Sequence, residues 1–249
     1  MSTKNVNEEI PQPEFEEERP DERYVSTTPY FTIIILVSIA VVFLSELTLP
    51  MIAVREIAGL EKSLFKQGEF WRLFTSAVVH DGIVHVLFNG YALLILGRLT
   101  ETISHRSNVP LVFTIAAICG GLLSTFFLPD GNSVGASGGV IGLLGFLTVY
   151  GFKRRKLLTN SLLKNMLFNI VLITVLGVFV IPNVDNFGHL GGLIAGGALG
   201  AVIIPGDLYE DPRVTGKALN YLGIGALLFV IFTAAVTVAK ILSYSFLVR

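Results

Sequence analysis

The sequence predicts an all-α protein built as a bundle of transmembrane helices, and three observations support this. Of the 249 residues, 52% are hydrophobic and only 15% are charged, and the mean hydropathy is +0.69. These values lie outside the range of ordinary soluble domains. Long charge-free stretches recur along the chain, and few polar side chains interrupt them. We therefore expect the chain to lie in a lipid bilayer and to bind no nucleic acid.

The beginning of the chain differs from the rest in charge. Segment 1–29 holds eight acidic residues against three basic ones, and it is rich in proline and poor in apolar residues. Such a segment cannot bury enough apolar surface to offset its chain entropy, so we expect a disordered, solvent-facing tail. Its acidic start does not match a secretory signal peptide, and we expect the tail to stay attached.

Seven charge-free stretches follow, and each is interpreted as a membrane helix. They are 24–45, 82–97, 107–129, 131–152, 165–184, 186–206 and 218–239. Six can cross a hydrocarbon core of roughly 30 Å at about 1.5 Å per residue, whereas 82–97 is shorter. The predicted organisation is a six-helix core over 30–206, a cytoplasmic loop over 207–217, and a seventh helix with the C-terminus over 218–249. The seventh helix is expected to lie outside the core, so a leucine at Gly223 should matter little.

Lysine and arginine in the short loops predict the orientation of the helices. Basic residues cluster in three loops that we expect to be cytoplasmic: Arg98, Arg106, Lys153, Arg154, Arg155, Lys156, Lys164, Arg213 and Lys217. This predicts a cytoplasmic N-terminus and an external C-terminus, in what we expect to be the plasma membrane of a prokaryote. The connection 51–77 should be external yet holds four basic residues among many apolar ones. We interpret it as an amphipathic segment in the membrane interface.

Three polar side chains inside the apolar stretches lie at similar depths. His85, Ser137 and His189 precede the next cytoplasmic charge by 13, 16 and 18 residues, on helices that all run from outside to inside. Polar residues inside a membrane are costly, which makes them candidates for a functional site. Parallel direction and similar depth are what a site shared by three helices requires.

Ser137 and His189 are the candidate catalytic residues of a serine protease. Gly135 precedes the serine by two residues; it permits a tight turn, after which the N–H groups of a helix start can hold an oxyanion. His189 shares a helix face with Gly192 and Gly196, so that helix can press closely on its neighbour and bring the imidazole to the hydroxyl as general base. The facing small surface consists of Gly138, Gly142 and Gly145. The alternative, that the glycines only pack helices and the polar residues are structural, stays open.

His85 and Asn89 lie one turn apart on a single helix face, and both side chains can donate a hydrogen bond. We interpret them as oxyanion donors together with the backbone at Ser137 and Gly135. The alternative is that they hold neighbouring helices together. His80 lies about 140 degrees round the same helix and is assigned a structural role.

Four motifs occur in order along the membrane region. They are Glu-Phe-Trp-Arg at 69–72, His-x-x-x-Asn at 85–89, Gly-Ala-Ser-Gly at 135–138, and His-Leu-Gly-Gly at 189–192 with Gly196. Together they resemble the rhomboid family of intramembrane serine proteases, over about 30–200.

The resemblance implies a six-helix catalytic core, a Ser-His dyad without an acid, and an acyl-enzyme intermediate. It also implies cleavage of transmembrane segments of other proteins, without a cofactor. Trp71 and Arg72 match the family's aromatic-arginine motif and are interpreted as structural support. The helix after 218 resembles the extra span of the six-plus-one subgroup. Ile141 stands where many family members carry an aromatic residue, which lowers the expected activity.

Other chemistries fit the residues less well. Asp185 could complete a triad with His189, but we expect it to cap the following helix together with Asn186. The chain has four histidines, one cysteine (Cys119) and no His-Glu-x-x-His, so no metal site is expected. A transporter would place polar residues along a path rather than at one level. A non-catalytic membrane binding or chaperone protein on the same fold stays open, as does the oligomeric state.

Overall fold

The computed structural model describes residues 28–157, 161–180 and 184–248. All but the last two residues of the predicted tail lie outside these ranges, so its disorder stays a prediction. The described chain forms ten α-helices, a π-helical turn and two short strands. In chain order they are α1 (Tyr30–Glu46), α2 (Met51–Ala58), β1 (Leu60–Glu61), α3 (Lys62–Lys66), α4 (Arg72–Thr75), α5 (Gly82–Ile103), α6 (Asn108–Phe127), β2 (Asn132–Ser133), α7 (Ser137–Lys153), α8 (Ser161–Val175), the π-helical turn (Leu176–Val180), α9 (Asn186–Ile203) and α10 (Lys217–Leu247).

The predicted fold class, an all-α polytopic membrane bundle, is confirmed. Five helices are long and apolar enough to cross a membrane, namely α5, α6, α8 with most of its π-helical turn, α9 and α10. The apolar helices α1 and α7 have 17 residues each. The expectation that the second membrane helix is short was wrong, because α5 runs for 22 residues and includes Arg98 and Glu101. The Glu101 carboxylate accepts hydrogen bonds from the N–H and hydroxyl of Thr32, both at 2.7 Å, so its charge is used within the bundle.

Helix α7 lies at the centre of the bundle. Eleven of its 17 residues are buried, and it packs on α5, α6, α8 and, most extensively, α9. The predicted glycine contact is present: a Cβ added to Gly192 would lie 2.9 Å from the carbonyl carbon of Gly138, and one added to Gly196 would lie 2.7 Å from Cα of Gly142. Because successive contacts advance in the same direction along both helices, α7 and α9 are parallel.

The connection 51–77 packs onto the bundle as α2, β1, α3 and α4, and its place in the membrane interface stays a prediction. Its four basic side chains have partners or are buried within the protein. Arg55 pairs with Asp81, Lys66 donates to the carbonyl of Pro129, Lys62 is only 2% exposed, and Arg72 donates to the carbonyl of Gly59 at 2.9 Å. These four residues are therefore not ordinary loop charges. Strand β1 of this connection pairs antiparallel with β2, which precedes Ser137.

Helix α10 packs against α1, α2, α4 and α6, and this packing contradicts the expectation that a leucine at Gly223 should matter little. A Cβ on Gly223 would lie 2.5 Å from Cβ of Ser107. The Lys240 ammonium lies 3.7 Å from the centroid of the Trp71 ring, and Phe229 contacts Phe74 edge to face at 5.0 Å. The sequence pattern shows only an apolar span here; the contact surface is set by residues far apart in the chain.

Candidate active site

Ser137 is the first residue of α7, and the segment before it is held by the backbone. Gly135 has φ +125°, a conformation that favours glycine, and its N–H donates to the carbonyl of Ser76 at 2.9 Å. The N–H of Ala136 donates to Nε2 of His80 at 3.3 Å. The serine is half-buried, at a helix N-terminus where unpaired N–H groups carry partial positive charge.

His80 lies beneath this segment and is completely buried. Nε2 of its ring accepts from the N–H of Ala136, and the backbone N–H of His80 donates to Glu46 Oε1 at 3.1 Å. Burial lowers the pKa of His80 to about 3, so the ring is neutral at physiological pH and can accept through Nε2. His80 thus joins the start of α7 to the last residue of α1, and no pattern in the sequence indicated Glu46 as its partner.

His189 lies in the first turn of α9, beside the first turn of α7. A Cβ on Gly138 would lie 3.6 Å from the carbonyl oxygen of Gly188, the residue before the histidine. Within the described residues no hydrogen bond joins the Ser137 hydroxyl to His189, and Nδ1 of the imidazole has no partner. Hydrogen bonds between catalytic groups are often long before substrate binds, so adjacent first turns are compatible with a working pair.

A cavity of about 220 Å³ lies between α7, α8 and α9, and His189 is on its wall. Ile141, one turn after Ser137, lines the same cavity together with residues of α8 such as Ile170 and Ile173. Ile141 and the imidazole of His189 thus border the same cavity. The α8 residues on this wall were not identified from sequence.

His85 and Asn89 face the segment before Ser137. A Cβ on Gly135 would lie 2.8 Å from His85 Nε2 and 3.9 Å from Asn89 Nδ2, so only a glycine leaves this space free. Nδ1 of His85 accepts from the N–H of Asp81 at 3.4 Å, which assigns the proton of a neutral ring to Nε2. One Asn89 amide hydrogen donates to the carbonyl of His85 at 3.1 Å, which leaves the other for a ligand. Two side-chain donors thus point toward the start of α7.

Asp185 caps α9, as predicted, and its carboxylate contacts two further elements. Oδ1 accepts from the N–H of Gly188 at 2.8 Å, while Oδ2 accepts from the hydroxyls of Ser124 at 2.5 Å and Ser133 at 2.7 Å. With the carboxylate bound in this way, it makes no hydrogen bond to the ring of His189 in the described part of the chain. The sequence signal for the cap was the position before the helix; nothing in it indicated the two serines.

Trp71 and Arg72 organise the connection 51–77 rather than the reacting groups. The Arg72 guanidinium donates to Glu69 at 2.7 Å and lies 4.6 Å from the centroid of the Trp71 ring. The ring of Trp71 also contacts the ammonium of Lys240 in α10, a contact that the sequence did not predict. A charged residue inside a long apolar helix was the signal that could have found it.

The described ranges contain no group of three or more metal-ligating side chains. The groups that converge are a hydroxyl, an imidazole and hydrogen-bond donors. Their chemistry suits attack on a carbonyl carbon with an oxyanion held beside the nucleophile.

Comparison with known proteins gives a family and several relatives. A family model described as the Rhomboid domain matches residues 67–206. The chain is 39% identical over 136 residues to Rhomboid protease GluP of Bacillus subtilis (strain 168), covering 55% of this chain and 26% of that protein. It is 34% identical over 154 residues to RHOMBOID-like protein 4 of Arabidopsis thaliana, covering 61% and 39%, and 34% identical over 146 residues to Rhomboid-like protease 1 of Toxoplasma gondii, covering 55% and 48%. The aligned part thus spans about a quarter to a half of these relatives.

Proposed function

The chain belongs to the rhomboid family, and on that premise we propose that it is an intramembrane serine protease that cleaves transmembrane segments of other membrane proteins. The observation that carries the proposal is the backbone contact between α7 and α9. It brings the first turn of one helix, with Ser137, against the first turn of the other, with His189. A weak nucleophile and a base capable of activating it are thereby neighbours in a membrane bundle.

In the proposed reaction His189 takes the proton of the Ser137 hydroxyl as the oxygen attacks the scissile carbonyl carbon. The resulting oxyanion accepts hydrogen bonds from His85, Asn89 and the backbone at the start of α7. The C–N bond then breaks as His189 returns the proton to the leaving amine, which leaves an acyl group on the serine. A water molecule, deprotonated by His189, attacks the ester and releases the second product.

A dyad without a carboxylate is supported by the partners of Asp185. Its oxygens are bound to Gly188, Ser124 and Ser133, and Nδ1 of the imidazole has no partner among the described residues. The imidazole must therefore be oriented by packing, with Ile141 on one side of the cavity. This favours Ser137 and His189 acting as a pair.

The test is cleavage of a model single-span membrane protein by the purified protein in liposomes. We expect Ser137→Ala and His189→Ala each to abolish detectable cutting, and the double variant to be no worse, since removing one member disables the other. Ser38→Ala in α1 and His105→Ala, whose ring contacts Ser107 away from the site, are matched controls that should stay active. Normal turnover by folded His189→Ala would contradict the dyad.

The chain is a multi-pass membrane protein, and we propose a cytoplasmic N-terminus and an external C-terminus. Support comes from basic residues at the shared end of α7 and α9, where Lys153 donates to the carbonyl of Ile204 at 2.6 Å and Arg154 to that of Leu208 at 3.0 Å. The test is a reporter enzyme that is active only outside the cytoplasm, fused to the C-terminus. We expect this fusion to be active. Residence in the plasma membrane of a prokaryote stays a prediction.

A further inference from the structure

The carboxylate of Asp185 joins the two segments that carry the proposed catalytic pair. Asp185 precedes His189 by four residues, and its partner Ser133 precedes Ser137 by four residues. The Ser133 hydroxyl donates to Oδ2 at 2.7 Å, while Oδ1 holds the N–H of Gly188 in the first turn of α9. The side chain of Asp185 therefore binds both the segment that leads to Ser137 and the first turn of α9, the helix that carries His189.

We propose that Asp185 is a positioning residue that sets the distance between Ser137 and His189 through its hydrogen bond to Ser133. The proposal rests on the proposed protease function. It assigns Asp185 no contact with substrate and no proton transfer. The carboxylate acts by fixing the segment before α7 relative to the first turn of α9.

Ser133 is well suited to transmit this constraint because its backbone is fixed on the other side. It pairs with Leu60 in the β1–β2 ladder, whose Leu60–Glu61 strand belongs to the connection 51–77. The next three residues lead to Ser137 through Gly135, whose φ of +125° and hydrogen bond to Ser76 restrict the backbone further. A loss of the Ser133 hydroxyl should shift this segment without unfolding a helix.

The buried lysine Lys62 interacts electrostatically with the carboxylate of Asp185. Lys62 follows β1 and is only 2% exposed, and its backbone N–H donates to the carbonyl of Gly131 at 3.2 Å. Burial lowers the pKa of Lys62, and the carboxylate of Asp185 is foremost among the negative charges that partly offset this effect. Ionised carboxylates accept stronger hydrogen bonds than neutral groups, which suits a side chain that holds three donors.

Ser124 provides a matched control. It donates to the same oxygen, Oδ2, at 2.5 Å, but it lies on α6 and is not part of the segment that leads to Ser137. Removing either hydroxyl takes one hydrogen bond from the same carboxylate. Only the removal of Ser133 breaks the link between the two catalytic segments.

The experiment begins with wild-type protein and Ser137→Ala in liposomes with a model transmembrane substrate. If the wild type does not cleave, the proposed function fails, and that result is distinct from the outcomes that follow. With cleavage established, kcat, KM, the rate of Ser137 labelling by a fluorophosphonate, and the melting temperature are measured for Ser133→Ala and Ser124→Ala. We expect Ser133→Ala to lower kcat and the labelling rate by about 10- to 100-fold with little change in KM, as a displacement of about 1 Å would.

Ser124→Ala should lower the melting temperature about as much as Ser133→Ala does. Its kcat should stay within about 3-fold of wild type, as expected for a hydrogen bond that stabilises the fold without positioning the catalytic residues. Asp185→Asn should recover most of the activity that Asp185→Ala loses, because the amide oxygen can cap α9 and its NH₂ can donate to the serine hydroxyls. The losses from Ser133→Ala and Asp185→Ala should also be non-additive when combined.

A wild-type kcat for Ser133→Ala would overturn the proposal, as would equal kcat losses for Ser133→Ala and Ser124→Ala. Strict additivity of Ser133→Ala and Asp185→Ala would do the same. Since Ser133→Ala keeps the helix cap, it tests the link even if Asp185→Ala does not fold.

Discussion

Helices α9 and α8 both pack on α7, but α9 approaches the α7 backbone much more closely. Between α7 and α9 the touching atoms belong to peptide groups, at Gly138 with Gly192 and at Gly142 with Gly196. Helix α8 carries mostly long apolar side chains, yet Met166 is its only buried residue, and among the helices it packs mainly on α7. Both helices border the cavity that contains His189.

The difference determines how firmly each helix is held beside that cavity. Hydrocarbon tails are as apolar as leucine, so a lipid-facing helix gains little by burying apolar side chains, and close packing is the main source of attraction between helices. A close backbone contact gives α9 that packing along several turns. Helix α8 approaches the α7 backbone less closely: a Cβ on Gly151 would lie 3.4 Å from Cα of Leu163, at ordinary van der Waals distance. Four predictions test this contrast, in order of decreasing expected effect.

Adding a side chain to the backbone contact should have the largest effect. A Cβ on Gly196 would collide with the carbonyl oxygen of Gly142, whereas one on neighbouring Gly197 would have no atom nearer than 3.8 Å. We expect Gly196→Leu to lower turnover by more than about 100-fold, because the helices must separate by an ångström or more. Gly196→Ala should also be impaired, and Gly197→Ala should be close to wild type.

The comparison needs a leucine control away from the contact. Gly223 is unsuitable, contrary to the expectation from sequence, because α10 presses it against Ser107. Gly225 of the same helix has no atom within 4 Å of an added Cβ, so Gly225→Leu should insert and cleave normally. Turnover is measured together with the melting temperature. Full activity of Gly196→Leu with α9 in place would mean that the contact does not set the distance between base and nucleophile.

Removal of the oxyanion donors should have the next largest effect, and it leaves the helix contact intact. We expect His85→Ala and Asn89→Ala each to lower the rate of the chemical step by about 100-fold, with some activity preserved by the backbone donors. Single-turnover cleavage is the measurement, with melting temperature as the check on folding. An unchanged rate for Asn89→Ala would reject its assignment as a donor.

A methyl group at Gly135 should have an intermediate effect on kcat, and the same substitution at Gly131 serves as the control. Gly135 and Gly131 both have positive φ, but only at Gly135 would a Cβ meet the His85 ring, at 2.7 Å. Both alanine variants should lose stability through backbone strain. We expect kcat to fall by about 10-fold in Gly135→Ala alone, because only there is the imidazole displaced. Equal kcat values for the two variants would mean that the His85 ring does not need this space.

Truncation on the lipid side of α8 should have the smallest effect. Phe168 is 64% exposed, and Phe168→Ala should change turnover and melting temperature little, with turnover within about 2-fold, since lipid replaces the lost contacts. Met166→Ala removes the buried contact of this helix and should loosen it further, seen as faster hydrogen exchange in α8 than in α9. Protection of α8 equal to that of α9 would contradict the contrast between the two helices.

How far the sequence predicted these features depends on whether the deciding contact is local. The start of α7 at Ser137, the glycine face of α9 and the cap by Asp185 depend on spacing along one helix, and each is present in the fold. The length of α5 was missed because the charge of Arg98 was taken as the end of the span, whereas the helix continues to Ile103 and Thr32 of a distant helix binds Glu101. The bonds of Asp185 to Ser124 and Ser133 span 61 and 52 residues, and no periodicity reports on such pairs.

The contacts of α10 have a consequence for the order in which the protein can assemble. This helix follows every other described element in the chain, yet Lys240 contacts Trp71 and Gly223 contacts Ser107, both of which emerge from the ribosome much earlier. Elements that pair across long sequence separations cannot complete their packing until the later one is synthesised. Until α10 is synthesised, the surface of the connection 51–77 that contacts α10 therefore stays uncovered. Nascent chains stalled before α10 should expose Trp71 to a quencher that the finished protein excludes.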